Sequence, residues 1–193
     1  MTRTTLLACL LLGSGAAFAQ SIANTVQRDI NQQQRIEQGL QNGALSTKEA
    51  STLEREESRV DRMQTNALKD GKLTPAEQAK LNQAQNKVSS DIYAAKHNGV
   101  TGNPQSASSQ RMQADVQRNI NQQQRIENGV QNGSLTNREV AQLEHGQSKV
   151  AKAEAKAGSD GHVSANEQHH VQRAENHQSK HIYHQKHDAQ QKN

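Results

Sequence analysis

The stretch Asn42-Gly43-Ala44-Leu45-Ser46-Thr47-Lys48-Glu49 decides the fold, because its pattern is written four times along the chain. Its counterparts are Asp70-Gly71-Lys72-Leu73-Thr74 up to Glu77, Asn132-Gly133-Ser134-Leu135-Thr136 up to Glu139, and Asp160-Gly161-His162-Val163-Ser164 up to Glu167. Each reads as a helix stop followed by a helix start. The Gly after Asn or Asp takes the left-handed conformation that ends a helix at low cost. The Ser or Thr then caps the next helix, and the Glu three residues later closes a capping box. Leu45, Leu73, Leu135 and Val163 stand just before the cap, at the hydrophobic-staple position, and Pro75 occupies a first helical position, where its missing N–H costs nothing.

Working outward from these signals, the spacing predicts helices over 22–41, 47–68, 75–97, 110–131, 137–157 and 165–189, with no strands. Apolar residues recur at helical spacing within them: Val26, Ile30 and Leu40; Leu53, Val60 and Met63; Leu81, Val88 and Ile92; then Val116, Ile120 and Val130; Leu143 and Val150; Val171 and Ile182. These stripes are narrow, closer to a coiled-coil seam than to the broad face of a globular helix. A longer period lies above the short one. Ile30 to Glu37 recurs unchanged as Ile120 to Glu127, and the register holds without a gap to Ile92-Tyr93 and Ile182-Tyr183. The expectation is an all-α chain of two tandem copies of a slender helix-turn-helix-turn-helix unit, 20–97 and 111–193, with 98–110 as a flexible linker rich in Gly and Ser. So thin a unit is marginal alone, which favours self-association or a client protein as a means of burying more surface.

Residues 1–19 read as a Sec-type signal peptide: Arg3, an apolar run from Leu6 to Leu12, and Ala17-Phe18-Ala19 before Gln20. The run is too short to span a bilayer. The single cysteine, Cys9, lies within it, so from Gln20 onward disulfides and thiolate chemistry are excluded. A periplasmic or secreted location is expected. The chain of 193 residues is 31% hydrophobic and 2% aromatic, with 23 basic against 19 acidic side chains. Without aromatics or concentrated basic patches, nucleic acid is not an expected partner, nor is a membrane span after signal removal. Neither a nucleophile elbow, a phosphate-binding loop, nor an H-E-x-x-H motif occurs, and the chain is read as non-enzymatic. The acids Glu54, Glu56 and Glu57, interspersed with Arg55, Arg59 and Arg62, are read as solvated ion pairs.

The four turns resemble the second half of an EF-hand loop, with Asn or Asp at the fifth position, Gly at the sixth, an aliphatic residue at the eighth and Glu at the twelfth. The resemblance implies calcium ligation by Asn66, Asp70 and Glu77, and by Asp160 and Glu167. At the first and third positions, however, the turns carry Gln38 and Leu40, Asn66 and Leu68, Asn128 and Val130, and Lys156 and Gly158. The carboxylates that a hard cation needs there are missing, so the turns are expected to serve mainly as architecture.

Seven of the nine histidines fall between His162 and His187. His169, His170, His177, His181, His184 and His187 belong to the last helix. His170, His177, His181 and His184 share a stripe about 60° wide. Imidazoles three or four residues apart suit a borderline metal such as Ni²⁺, Cu²⁺ or Zn²⁺. The matching positions of the first copy are Lys80, Lys87, Asp91 and Ala94, so the stripe reads as a solvated face. On acidification the same histidines gain positive charge. The leading expectation is an exported protein that binds or buffers divalent transition metals. A helical scaffold or chaperone-like interaction protein is the alternative, and weak calcium binding at the turns a second.

Overall fold

The computed structural model describes residues 14–188, so the expected signal segment lies mostly outside the described residues. Six helices and no strands are found among them: α1 (Ser14–Gln41), α2 (Thr47–Ala67), α3 (Pro75–Lys96), α4 (Ala107–Gln131), α5 (Asn137–Ala157) and α6 (Ala165–Lys186). The internal boundaries follow the turn chemistry. Ser46, Thr74, Thr136 and Ser164 each cap a helix in extended conformation and close a capping box with Glu49, Glu77, Glu139 and Glu167. Gly43, Gly71, Gly133 and Gly161 have φ between 76° and 93°, the left-handed stop. After α1 and α4 the chain closes with a backbone bond from Leu45 to Gly39 (2.9 Å) and from Leu135 to Gly129 (3.0 Å), which lets the staple leucine turn inward. Thr136→Ala removes the acceptor for the Glu139 N–H and should cost about 1 kcal/mol, read as a lower urea midpoint with an unchanged slope.

The helices pack across the repeat. The most extensive contacts join α2 to α5 and α1 to α4, while α3 lies on α1 and α2, and α6 on α4 and α5. At the centre, Ser58 on α2 donates to the Ser148 carbonyl (2.9 Å), and Ser148 on α5 donates back to that of Ser58 (3.1 Å). These two residues are 90 apart, the repeat offset, so equivalent positions meet and the two halves are related by a local two-fold. The apolar face that one copy alone would leave exposed is thus covered by the other copy. Ile30, Ile36, Leu40 and Leu53 are buried with their counterparts Ile120, Ile126, Val130 and Leu143.

The segment expected as a flexible linker is tied down instead. The Gly102 N–H donates to the Gly43 carbonyl (2.8 Å), Asn98 donates to Glu49 (2.6 Å), and Gln113 reaches back to the carbonyl of Pro104 (3.1 Å). α4 starts at Ala107, capped by Ser106. Ser108 at its first turn accepts from the Val163 N–H (2.7 Å) and donates to Thr47 (3.3 Å), joining three elements. Gly and Ser here serve close approach of backbones rather than mobility.

Candidate functional site

The histidines of α6 separate into groups with different surroundings. His187 ends the helix, with its Nδ1 2.7 Å from the Tyr183 carbonyl oxygen and its ring stacked on Tyr183 at 4.2 Å. His97 does the same at the end of α3, with 2.7 Å to the Tyr93 carbonyl oxygen and 4.1 Å between the rings. A contact repeated in both copies marks His187 as a helix-terminating residue. His170 accepts from Arg173 at Nδ1 (3.1 Å), and His169 lies beside Gln172 and Arg173 along a shallow surface depression. His177, His181 and His184 follow one another a turn apart along α6, near enough for the charges of His177 and His184 to act on His181. His177 and His184 are exposed and His181 is half-buried. Burial, followed by the nearby charges of His177, His184 and Lys149, holds the His181 imidazole below its ordinary pKa. It is therefore neutral at pH 7, the form that ligates metals. Among the described residues, no group of three or more His, Cys, Asp or Glu is arranged to hold a metal ion.

The EF-like carboxylates are engaged by their own turns. Glu77 Oε2 accepts from the Thr74 N–H (2.9 Å) and hydroxyl (2.6 Å), and Glu167 Oε2 from those of Ser164 (2.9 and 2.7 Å). Asp70 accepts from the Lys72 N–H (2.9 Å), Asp160 from that of His162 (2.8 Å), and Asn66 is exposed one turn away. The hydroxyl and backbone bonds from Thr74 hold Glu77 below the usual carboxylate range.

The reading of Glu54 and Glu57 as solvated ion pairs is overturned. Both are buried, at 0% and 2% exposure, together with Asp29 on α1, Asp61 on α2, Asp115 on α4, Glu144 and Glu154 on α5, and Glu175 on α6. Glu54, Glu57 and Asp61 lie on the face of α2 that carries Leu53 and Val60, and Glu144 and Glu154 on the face of α5 that carries Leu143 and Val150. Glutamine and asparagine amides serve them. Gln33 donates to Glu54 (2.9 Å), Gln123 to Glu144 (3.2 Å), Asn119 to Glu154 (2.6 Å), and Gln64 and Gln85 both donate to Asp29. Among the described residues, Glu175 is the one of these acids that forms an ion pair, with Arg118 at 3.0 Å. Burial raises these groups far above the usual carboxylate range: Asp29, Glu54 and Glu175 to about 7, Asp115 and Glu144 to about 8. Glu57, Asp61 and Glu154 are also raised well above the usual carboxylate range, by burial and then by neighbouring acids.

The two copies carry this chemistry in exchanged form. Where the first pairs Asp29 with Gln64, the second pairs Asn119 with Glu154, so acid and amide swap helices while the bond persists. Glu57 and Asp61 correspond to Gln147 and Ala151. Val88 corresponds to Gln178, which fits because Glu56 is replaced by Gly146, and a Cβ on Gly146 would stand 1.8 Å from the Gln178 amide oxygen. These exchanges are a signal in the sequence that a buried polar layer is present. No helix among the described residues is long and apolar enough to cross a membrane. Comparison of the chain with family models, curated proteins and solved structures gave no match.

Proposed function

We propose that this chain is an exported, non-enzymatic binding protein of the periplasm that captures divalent transition metals on the outer face of α6. The observation that carries the reading is the grouping of His177, His181 and His184, one turn apart, with the middle imidazole held neutral by its surroundings. Two imidazoles spaced three or four residues apart on a helix form an open, two-ligand site completed by water, which suits reversible buffering better than tight storage. The equivalent face of α3 carries Lys87 and Asp91, bonded to each other, so the function belongs to the second copy alone. In this reading the four turns are architecture, because their carboxylates already cap helices.

Isothermal titration with Ni²⁺, Cu²⁺ and Zn²⁺ should show binding that the variant His177→Ala/His181→Ala/His184→Ala weakens at least about tenfold, or roughly 1.4 kcal/mol. His187→Ala, which removes only the ring stacked on Tyr183, should leave the affinity within about twofold of the parent. Identical isotherms for the parent and the triple variant would remove this reading.

A further inference from the structure

We propose that the seam between the α1–α2 pair and the α4–α5 pair is a proton-operated latch: protonated, its buried acids lie neutral against one another, and deprotonated, they repel and loosen it. The geometry begins with Glu54 on α2 and Glu154 on α5, both fully buried and near enough across the seam to act on each other. Glu54 Oε2 accepts from Gln33 and Glu154 Oε2 from Asn119, while Glu54 Oε1 and Glu154 Oε1 receive no donor. Two bare carboxylates so placed repel, and a proton on either one removes the repulsion and supplies a donor.

A cavity of about 10 Å³ lies beside it, lined by Asp29, Gln33, Glu57, Asp61, Asn119, Gln123, Gln147 and Ala151, residues of all four central helices. Both carboxyl oxygens of Glu57 and both amide atoms of Gln147 lack partners there, although each residue is only 2% exposed. The lining is rich in acceptors and poor in donors, and the donors it lacks are the protons of carboxylic acids. The surrounding charges compensate only in part: Arg28 acts on Asp29 and Arg35 on Glu57, and burial outweighs both. From α1, Arg28 is turned to Asn82 and Asn86, and Arg35 to Ser89. From α3, Lys87 pairs with Asp91 and Glu56 at the surface. α4 contributes Asp115, and Arg118 bound to Glu175 of α6; α5 adds Glu144 to the acids. His169, His170, His177, His184 and His187 of α6 are exposed, away from the seam.

The sign follows from the raised carboxyls. Each stabilises the folded chain fully below its ordinary pKa near 4, and that stability is lost as pH rises through its raised folded value, about 7 for Asp29 and Glu54 and about 8 for Glu144. The chain itself supplies the neutral replacements, since the second copy has Gln147 and Ala151 where the first has Glu57 and Asp61. The test is thermal unfolding of the full chain from Gln20 onward at pH 5 and pH 9, for the parent and for Glu57→Gln/Asp61→Ala. The parent midpoint should fall by about 10 °C or more across this range, and the variant should lose at least roughly a third of that fall. Infrared spectra of the parent at pH 7 provide a reading that needs no variant: the carbonyl stretch of protonated carboxyls should be present and should vanish on unfolding. Equal midpoints at pH 5 and 9, an unchanged pH slope in the variant, or no protonated-carboxyl band at pH 7 would each overturn the latch.

Discussion

Gly158→Leu should destabilise the chain by about 3 kcal/mol, lowering its thermal midpoint by roughly 10 °C. Gly158 is the C-cap of α5, with φ −91°, so backbone freedom is not why glycine stands there. Space is. A Cβ at this position would lie 2.6 Å from Met112 Cε, 2.9 Å from Ser51 Cβ and 3.1 Å from the Thr47 carbonyl oxygen. Met112 can swing aside, but Thr47 and Ser51 belong to the first two turns of α2 and can yield only if that helix moves. The equivalent residue of the first copy is Leu68, buried at 3% exposure. The substitution therefore writes the first copy's residue into the second. Its cost measures where the local two-fold breaks down, at the junction of α2, α4 and α5. A midpoint within 2 °C or so of the parent would mean that this junction is looser than described.

Gly102→Ala should cost about 2–3 kcal/mol, again by close approach. Its Cβ would stand 2.2 Å from the Leu45 carbonyl oxygen and 2.9 Å from the Leu45 carbonyl carbon, both backbone atoms that no rotamer change relieves. The added methyl would also separate the Gly102 N–H from Gly43, which it now meets at 2.8 Å. Gly99 is the control within the same segment. It has φ +81° with nothing within 4 Å of an added Cβ, so Gly99→Ala carries only the left-handed penalty of about 1 kcal/mol. A truly flexible linker would tolerate both substitutions alike. Chemical denaturation of the two variants distinguishes the cases, since only an anchored segment makes Gly102→Ala much the worse.

The turns were legible because their signals are local. A glycine stop, a hydroxyl cap and a reciprocal glutamate occupy fixed offsets, and the chain shows them four times, so the boundaries of α2, α3 and α5 lie within a residue or so of expectation. The pairing of α2 with α5 was not legible, because the same apolar stripe could face a second molecule or the other copy. Tertiary packing made that choice. The buried acids were hidden by a sound habit, which assigns carboxylates to the surface unless they are paired. Glu54, Glu57 and Asp61 recur at spacings of three and four, in phase with Leu53 and Val60, and that phase was the available sign. The repeat offered a second sign in Asp29–Gln64 against Asn119–Glu154. At the histidine face, spacing placed His177, His181 and His184 together. It had no means of foreseeing that His187 would stack on Tyr183.

The buried layer also explains how a chain with so few apolar residues builds a core. Amide–carboxyl bonds from Gln33, Gln123 and Asn119 fill space that aliphatic side chains would occupy elsewhere, and they fix the lateral register of α1 on α2 and of α4 on α5. An apolar layer of equal volume would tolerate sliding, whereas these pairs match at one setting only.

The central claim is that the two copies share one core and fold as a unit. Differential scanning calorimetry at pH 5, where the seam is fully protonated, tests it directly. A single transition, with a calorimetric enthalpy equal to the van't Hoff enthalpy, is the predicted result. Two resolved transitions, or a calorimetric enthalpy about twice the van't Hoff value, would show that the halves unfold independently and would contradict it.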